Sequence, residues 1–398
     1  MNRPDPIFPG VRIPYGTWGT SYFPAWQSSA MAEVNIGQFA AEAMGRILGQ
    51  RRVPVRSIEF LVAGSTIPWR WKFWNAPMLA AIMGHRVPGC HVEQACATGL
   101  KAVVQGAMEV QSGGGGVVGV LTFDRTSDSS VGVFPERRSP AHTVALNDVW
   151  DNFSFDPAVG SSMLTAAGNT ARKYKLDRNE VDELTACRYE QYLSTQKTGF
   201  FDRVAVPLEV LDSKGKLLGR IGEDTGVKHV TIETLRSMSE LAPCVTAGSQ
   251  THPSVGLATL LVATPERARD LSPRPEIDIQ LVAKAYVRSG PGLMPEAPAL
   301  AVAKLLQDTG LRIEEMTVVK SHNPFAVNDA VFAKIHRYDW RNMNRTGSSL
   351  VWGHPQAPTM TRIVIEALEE TVERGGGYAL VMGCAAGDIG VAALFKTS

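Results

Sequence analysis

The chain has 398 residues, with 40 Lys and Arg residues against 39 Asp and Glu residues and a formal net charge of +1. This length is enough for a large core and two or more subdomains, whereas the balanced charge indicates neither a nucleic-acid footprint nor an acidic tail. Five scattered cysteines without CxxC spacing argue against a disulfide framework and a structural zinc site, so we expect no metal.

The N-terminal 123 residues predict a first α/β unit. Its leader, residues 1–30, is rich in prolines and aromatics and lacks the apolar core of a signal peptide, and no stretch of the chain reaches the roughly 18 apolar residues of a membrane span. We therefore expect a cytoplasmic protein. Apolar periodicity predicts helices over 34–50 and 76–83 and a strand over 57–63. The aromatic cluster Trp69, Trp71, Phe73 and Trp74 favours an interface or core packing over an acyl pocket.

One cysteine, Cys96, lies where an irregular turn becomes a helix. After it, apolar residues recur at three- and four-residue spacing until the glycines at 113–116, and a buried strand is predicted over 117–121. Unpaired amides and the macrodipole at a helix N-terminus favour a thiolate, which predicts a lowered thiol pKa. A packed core cysteine is the alternative, and this stretch alone leaves both interpretations open.

Residues 124–245 change character, with a polar segment followed by two helices over 163–174 and 181–192. The small-residue loop that comes next, 246–253, leads into further apolar elements. We predict strands over 255–263, 277–287 and 316–320 and helices over 298–309 and 358–373.

Three late loops carry residues suited to catalysis. His322 follows a strand, His354 lies in Gly353-His354-Pro355 directly before a helix, and Cys384 lies in a turn between two apolar strands. Taken alone, each residue could serve only a structural purpose, such as hydrogen bonding, starting a helix or packing in a small-residue loop. Two cysteines and two histidines on strand–turn junctions, among small residues, together indicate a catalytic site.

These loops together resemble the thiolase family. The segment 94–102 around Cys96 resembles the family's nucleophile motif, and His322 begins a variant of its Asn-Glu-Ala-Phe loop. Gly353-His354-Pro355 matches its Gly-His-Pro, and the segment 384–390 loosely matches its Cys-x-Gly-x-Gly-x-Gly. Ala386 and Asp388 replace two of those glycines. His322 is similar to the branch with histidine at this place, which includes sterol-carrier-protein-type and aryl-succinyl-CoA thiolases.

The resemblance implies an α/β, five-layered αβαβα fold of two pseudo-repeated halves with an inserted loop domain. We expect an N-terminal half at 1–123 completed by 246–272, an insert at 124–245 on the coenzyme A side, and a C-terminal half at 273–398. It also implies a homodimer or homotetramer, with some relatives depending on a small zinc-ribbon/OB-fold partner subunit. Coenzyme A is expected as a co-substrate, and no tightly bound cofactor is expected.

Residue roles follow from the same resemblance. Cys96 would attack a 3-oxoacyl-CoA, His354 would take its proton, and Cys384 would exchange protons with the leaving enolate and with coenzyme A. His322 and His354 would hold one oxyanion, and the backbone amides of Cys96 and Ala386 the other. The residues expected to contact substrate or coenzyme A are Thr246, Ala247, Gly248, Thr251 and Phe325.

The departures from the family pattern leave substrate and class open. After His354 the loop continues Gln356-Ala357-Pro358 where Leu-Gly-Ala is common, which departs from the standard coenzyme A contacts and the usual acetyl-sized substrate. The resemblance of His322 to its branch implies a bulky or aromatic substrate such as a benzoylsuccinyl-CoA. A decarboxylating ketosynthase-like condensing enzyme is one alternative, although that class lacks the second cysteine. A catalytically degenerate thiolase-like subunit is the other.

Overall fold

The computed structural model describes residues 4–27, 29–32, 34–126, 131–135, 144–228 and 230–398. Residues 1–3 and 28 of the predicted leader, residue 33, and residues 127–130, 136–143 and 229 of the predicted insert lie outside the described residues. Within the described part of the chain, no helix is both long enough and apolar enough to cross a membrane.

A six-stranded sheet forms the core of the N-terminal half. Its strands are β1 (Gly19–Ser21), β2 (Phe60–Gly64), β3 (Gly89–Val92), β4 (Val117–Arg125), β7 (Ala205–Val206) and β10 (Val255–Ala263). They lie in the order β3-β2-β4-β10-β1-β7. Strand β10 comes from beyond residue 245, pairs antiparallel with β4 over nine residues, and therefore binds distant parts of the chain into one sheet.

A four-stranded sheet forms the core of the C-terminal half. Its strands are β11 (Ile279–Arg288), β12 (Met316–His322), β13 (Gly377–Ala385) and β14 (Ile389–Thr397). They lie in the order β11-β14-β13-β12, with β12 and β13 parallel. Because His322 and Gly383 are partners in that parallel register, His322 ends β12 directly beside the segment that carries Cys384.

Two long helices lie between the sheets and others cover the outer faces. The central helices are α4 (Thr98–Gln111) and α14 (Pro358–Glu373). They pack against each other, with α4 against strands of the first sheet and α14 against strands of both sheets. The outer helices are α2 (Ile36–Gln50), α3 (Asn75–Ile82) and α10 (Pro265–Leu271) on the first sheet and α11 (Ala297–Thr309) and α12 (Ala326–His336) on the second side. This succession confirms the expected five-layered αβαβα architecture.

Most of the remaining elements lie along the chain between β4 and β10. The remaining elements are the helices α1 (Ser29–Ala32), α5 (Val149–Ser154), α6 (Met163–Lys173), α7 (Arg178–Gln196), α8 (Phe200–Val204), α9 (Ile232–Ser237) and α13 (Ser349–Trp352), and the hairpins β5 (Gly132–Pro135) with β6 (Val144–Asn147) and β8 (Leu208–Leu211) with β9 (Leu217–Ile221). Asp177 caps α7 by accepting hydrogen bonds from the amides of Asn179 and Glu180.

Two local predictions differ from the structure. The strand predicted over 57–63 begins only at Phe60, because residues 55–57 form a 3-10 turn. The leader was predicted to be irregular, but it contributes β1, which fills the gap between β10 and β7. A three-residue strand is too short to show a periodic pattern of apolar residues, so it can be identified only from its pairing with other strands.

A buried ionic network fixes α14, the helix that follows the Gly353-His354-Pro355 loop. Arg362 donates two hydrogen bonds of 2.8 Å to the carboxylate of Asp224 and a third of 2.9 Å to Glu366. Lys320 on β12 donates to the other oxygen of Glu366 at 2.9 Å. Removing one partner from such a buried cluster typically costs about 3–5 kcal/mol, since a charge is left uncompensated. The network therefore holds the insert, the central helix and the second sheet in one arrangement.

Candidate active site

Cys96 lies one residue before the N-cap of α4, at the helix N-terminus that the sequence predicts. The N-cap is Ala97, and Cys96 is buried with 4% of its surface exposed. Gly99, in the first turn, allows α4 to approach α14 closely: a Cβ there would meet the backbone nitrogen of Thr361 at 2.4 Å. The contact between these two helices therefore needs glycine and brings Cys96 to the first turn of α14.

The predicted lowering of the Cys96 pKa is wrong for this buried site. Burial raises the pKa of the thiol to about 12, and hydrogen bonds from the backbone amides of Cys96 and Ala386 offset only part of that effect. The carboxylate of Asp124 raises it further. Desolvation of the thiolate thus outweighs the helix terminus, so the thiol is protonated at neutral pH and needs a base at the moment of attack.

His354 lies in a loop that requires a glycine before it. Gly353 adopts φ +101°, and a Cβ there would meet His252 and Ser254 at 2.8 Å. The amide of His354 donates to the carbonyl of His252 at 2.9 Å, and its Nδ1 lies 2.6 Å from the hydroxyl of Thr359. Burial lowers the pKa of His354 to about 3. The Gln356 side chain acts in the opposite direction on this pKa but does not offset burial, so the ring is neutral. Within the described part of the chain, its buried Nε2 makes no hydrogen bond of ordinary geometry.

His322 is held in a similar way from the end of β12. Its Nδ1 lies 2.8 Å from the hydroxyl of Ser349, which itself donates to Asn323 Oδ1 at 3.3 Å. Because that hydroxyl proton is used, the hydrogen in the contact comes from Nδ1 of His322, and Nε2 carries the lone pair. Burial, together with the neighbouring His354, keeps the pKa of His322 well below its ordinary value. Its Nε2 is also buried without a partner.

The structure brings all four predicted side chains together. The two imidazole rings lie 4.2 Å apart between centroids, and one donor atom each from Cys96, His322 and His354 lies within 4.8 Å of the others. Cys384 is fully buried at the end of β13 and accepts a hydrogen bond from Asn328 Nδ2 at 3.4 Å. Burial, and next the proximity of Cys96, raise the pKa of Cys384, so both sulfurs are thiols at rest.

Three polar residues of this site were not predicted from the sequence to have a role in it. Gln356, at φ +80°, accepts a hydrogen bond from the Cys96 thiol at 3.3 Å. Asp124 accepts from the amides of Ile67 and Ala357, at 3.0 and 2.8 Å, and so joins the first sheet to the His354 loop. Asn328 supports Cys384. The only signals were the Gln356 departure from the family's leucine and a carboxylate at the end of the apolar strand β4.

Two cavities meet at Cys96. The first has a volume of about 370 Å³, and the second, of about 290 Å³, also reaches His354. The residues common to both linings are Cys96, Phe153, Met163, Met294 and Gln356. Cys96 therefore borders two separate spaces that could each hold part of a bound molecule.

The residues predicted to contact substrate or coenzyme A fall into two groups. Thr251 and Phe325 line the second cavity. Thr246 is buried against Ser249, Gly248 packs against Leu235 and Met238, and Ala247 is exposed. The linings of both cavities, among the residues the structure describes, contain none of these three, so their contact with coenzyme A stays a prediction.

The aromatic cluster of the first half lies elsewhere. Phe73 is 90% exposed, Trp71 and Trp74 are also exposed, and Trp69 packs edge-on against Phe123. Neither cavity lining at Cys96 includes any of these four aromatics within the described ranges. The interface-or-core interpretation therefore fits their positions better than an acyl pocket.

Comparisons with known proteins match almost the whole chain. The family model described as "Thiolase, N-terminal domain" matches residues 22–266, and "Thiolase, C-terminal domain" matches residues 276–397. The chain is 26% identical to the mitochondrial 3-ketoacyl-CoA thiolase of Bos taurus, covering 98% of each chain. It is also 26% identical to the beta-ketothiolase BktB of Cupriavidus necator, covering 100% of each.

A solved structure shares the architecture. The crystal structure of human mitochondrial 3-ketoacyl-CoA thiolase superposes with a TM-score of 0.86 at 21% identity, covering 98% of this chain and 99% of that one. The fold and the matched domains define an acyltransferase of the acyl-thioester class. The chain belongs to the thiolase family.

Proposed function

We propose that the protein cleaves a 3-oxoacyl-CoA with coenzyme A, or runs the reverse Claisen condensation, through an acyl-Cys96 intermediate. The meeting of two thiols and two neutral imidazoles at the junction of two cavities carries this proposal. A carbon–carbon cleavage of this kind needs a nucleophile, a base for it, an acid for the departing carbanion and donors for the transient oxyanions. Each requirement has a candidate group here.

In the first half-reaction, the Cys96 sulfur attacks the 3-keto carbon while its proton passes to Nε2 of His354. This base is suited to the task because its Nε2 is unpartnered and the ring is neutral at neutral pH. The tetrahedral oxyanion is held by the amides of Cys96 and Ala386, which already donate to the sulfur. Collapse breaks the carbon–carbon bond, leaves the acyl group on Cys96, and releases an enolate that Cys384 protonates.

In the second half-reaction, Cys384 takes the proton of coenzyme A, whose sulfur attacks the acyl-Cys96 thioester. The bond between the acyl carbon and the Cys96 sulfur breaks, the new acyl-CoA leaves, and His354 returns its proton to Cys96. Gln356 supports the resting thiol by accepting its hydrogen bond, and that hydrogen bond must break before the proton passes to His354. His322, fixed through Ser349, is placed to hold the enolate oxygen together with His354.

The first cavity favours a bulky and uncharged acyl group. Its larger apolar lining residues include Ile67, Val149, Phe153, Phe155, Met163 and Met294. Its charged lining residues, within the described part of the chain, are the acids Glu93, Asp156 and Asp388. A volume of about 370 Å³ falls within the range of roughly 300–1,000 Å³ for small-molecule sites. An aryl group fits this lining, whereas a terminal carboxylate would face like charges.

These features support an aroyl group on Cys96, as cleavage of a benzoylsuccinyl-CoA would leave. We expect benzoylacetyl-CoA to be cleaved with a kcat/KM at least about tenfold above that of acetoacetyl-CoA, equivalent to about 1.4 kcal/mol of transition-state binding. 3-Oxoadipyl-CoA, which carries a carboxylate, should be poorer than both. Loss of the 3-oxoacyl-CoA enolate absorbance measures each rate, with and without a small zinc-ribbon/OB-fold subunit.

A matched pair of variants tests whether the first cavity sets this preference. Phe155 lines the cavity and is 55% exposed, while Phe134 on β5 is 58% exposed and lies outside its lining. Phe155→Ala should lower the ratio of aryl to acetyl activity, and Phe134→Ala should leave it unchanged. Equal rates for all three substrates in the unmodified protein would overturn the aryl proposal without touching the thiolase chemistry.

We also propose that the chain forms a homodimer through the free edge of β3. This strand ends the six-stranded sheet, and its open edge is a template for pairing. Exposed aromatics flank that edge: Phe73 and Trp74 line one surface cavity with Gly89, Cys90 and His91. Exposed apolar patches of this kind mark protein interfaces.

Sedimentation equilibrium tests the dimer. Phe73→Glu should raise the dimer dissociation constant at least about tenfold, or about 1.4 kcal/mol, because a charge replaces an aromatic at the pairing edge. Phe134→Glu, at another exposed aromatic, serves as the control. Unchanged association in Phe73→Glu would place the interface elsewhere.

A further inference from the structure

Three potential metal-ligand atoms lie close together at Cys96, the residue where the two cavities meet. Cys96, His322 and His354 each offer one donor atom within 4.8 Å of the other two, and all three side chains are buried. Tetrahedral zinc, with bonds of about 2.0 Å to nitrogen and 2.3 Å to sulfur, spaces its ligands roughly 3.3–3.6 Å apart. Side-chain movements on the order of an ångström would bring the three atoms to that spacing.

The two imidazoles are already in the form that binds a metal. Nδ1 of His322 donates to Ser349, and Nδ1 of His354 contacts Thr359. Zinc-binding histidines characteristically use one ring nitrogen for such a second contact, which orients the ring and presents the other nitrogen. Among the residues that the structure describes, Nε2 of each ring is buried and makes no hydrogen bond of ordinary geometry, so both atoms are available to a metal.

Access and ligand type favour a thiophilic divalent cation. Both cavities lead to Cys96, and the second also leads to His354. One thiolate and two imidazoles suit zinc or cobalt, whereas magnesium and calcium prefer oxygen ligands. Three protein ligands leave a fourth position for a water molecule, as in open zinc sites.

We propose that Cys96, His322 and His354 form a reversible zinc site whose occupation blocks acylation. A bond forms between Zn²⁺ and the Cys96 sulfur, the S–H bond breaks, and the proton leaves to solvent. Nε2 of each histidine donates its lone pair to the metal. The sulfur and the base are then both engaged, so zinc and the acyl-CoA exclude each other.

Cobalt provides a readout that does not depend on activity. Titration of the full chain with Co²⁺ should reach one equivalent and produce thiolate-to-cobalt charge-transfer absorption with the visible bands of a tetrahedral site. Cys96→Ser should abolish the charge-transfer absorption. His322→Ala and His354→Ala should weaken Co²⁺ binding by more than about 100-fold, since loss of even a supporting contact costs 10–100-fold. Circular dichroism checks that each variant is folded.

Two further cysteine variants identify the sulfur. Cys384→Ala, at the neighbouring buried thiol, and Cys187→Ser, at a half-buried distant thiol, should keep the absorption. Persistence of the absorption in Cys96→Ser, or its loss in Cys187→Ser, would overturn the proposal.

Alkylation provides an independent measurement on the unmodified protein. Zn²⁺ should protect Cys96 from iodoacetamide, and a chelator should restore its reactivity along with thiolysis. Mass spectrometry of the peptide that contains Cys96 reports the protection. Inhibition by Zn²⁺ without protection of Cys96 would assign the metal to another place.

Discussion

Cys384→Ala is expected to abolish carbon–carbon cleavage while acyl transfer between thioesters continues. An enolate is a strongly basic leaving group and needs a proton as it departs, whereas a coenzyme A thiolate is stable near neutral pH. Loss of a positioned general acid costs about 10²–10⁴-fold in rate, so cleavage of the 3-oxoacyl-CoA should fall by that factor or more. The exchange of labelled coenzyme A into benzoyl-CoA, which breaks no carbon–carbon bond, should fall far less.

The matched control for this variant is Cys244→Ala. Cys244 is another buried cysteine and packs in the same hydrophobic cluster as Cys384, but its sulfur donates to the carbonyl of Leu176. Both substitutions remove one buried sulfur, so a shared loss of stability would appear in both variants. Equal losses of cleavage and exchange in Cys384→Ala alone would contradict a role of Cys384 that is specific to the carbon–carbon step.

Cys96→Ser should eliminate both reactions, by roughly 10³-fold or more, because the residue that carries the acyl group cannot be replaced by binding alone. The hydroxyl fits the space of the thiol, but its proton is harder to remove. Even the thiol, whose pKa burial raises to about 12, faces a base with a pKa of about 3. Stopped-flow measurement of enolate loss and the exchange assay both report the effect.

Cys187→Ser provides the comparison for this variant, since it makes the same chemical change at a half-buried cysteine outside both cavity linings. Its activity should match the unmodified protein. Full thiolysis by Cys96→Ser would show that another group carries the acyl chain, and the assignment of the nucleophile would then fail.

The sequence predicted the structure correctly where an element is long and regular, or where family motifs occur in order along the chain. Helix α14 and strand β10 have strong periods or unbroken apolar runs, and their bounds agree with the predicted ones to within a residue. The meeting of Cys96 and Cys384 was foreseen from family motifs, since residues 288 positions apart leave no local pattern that indicates contact.

The direction of the Cys96 pKa shift was predicted wrongly from the local sequence. A helix N-terminus lowers a thiol pKa only while the thiolate keeps some solvation, and the burial of Cys96 against α14 was not visible in the segment 94–101. Gln356 and Asp124 were missed for a related reason. Gln356 acts through its contact with the Cys96 thiol, and Asp124 acts through its contact with the Ala357 amide. Neither tertiary contact can be predicted from residue spacing.

The identity of the acylated sulfur is the most direct test of the whole account. Cys384→Ala protein is incubated with benzoyl-CoA, quenched in acid and digested, and the peptides are weighed. The account predicts a benzoyl group on the peptide containing Cys96 and its absence in Cys96→Ser. A benzoyl group on any other peptide, with Cys96 unmodified, would contradict it.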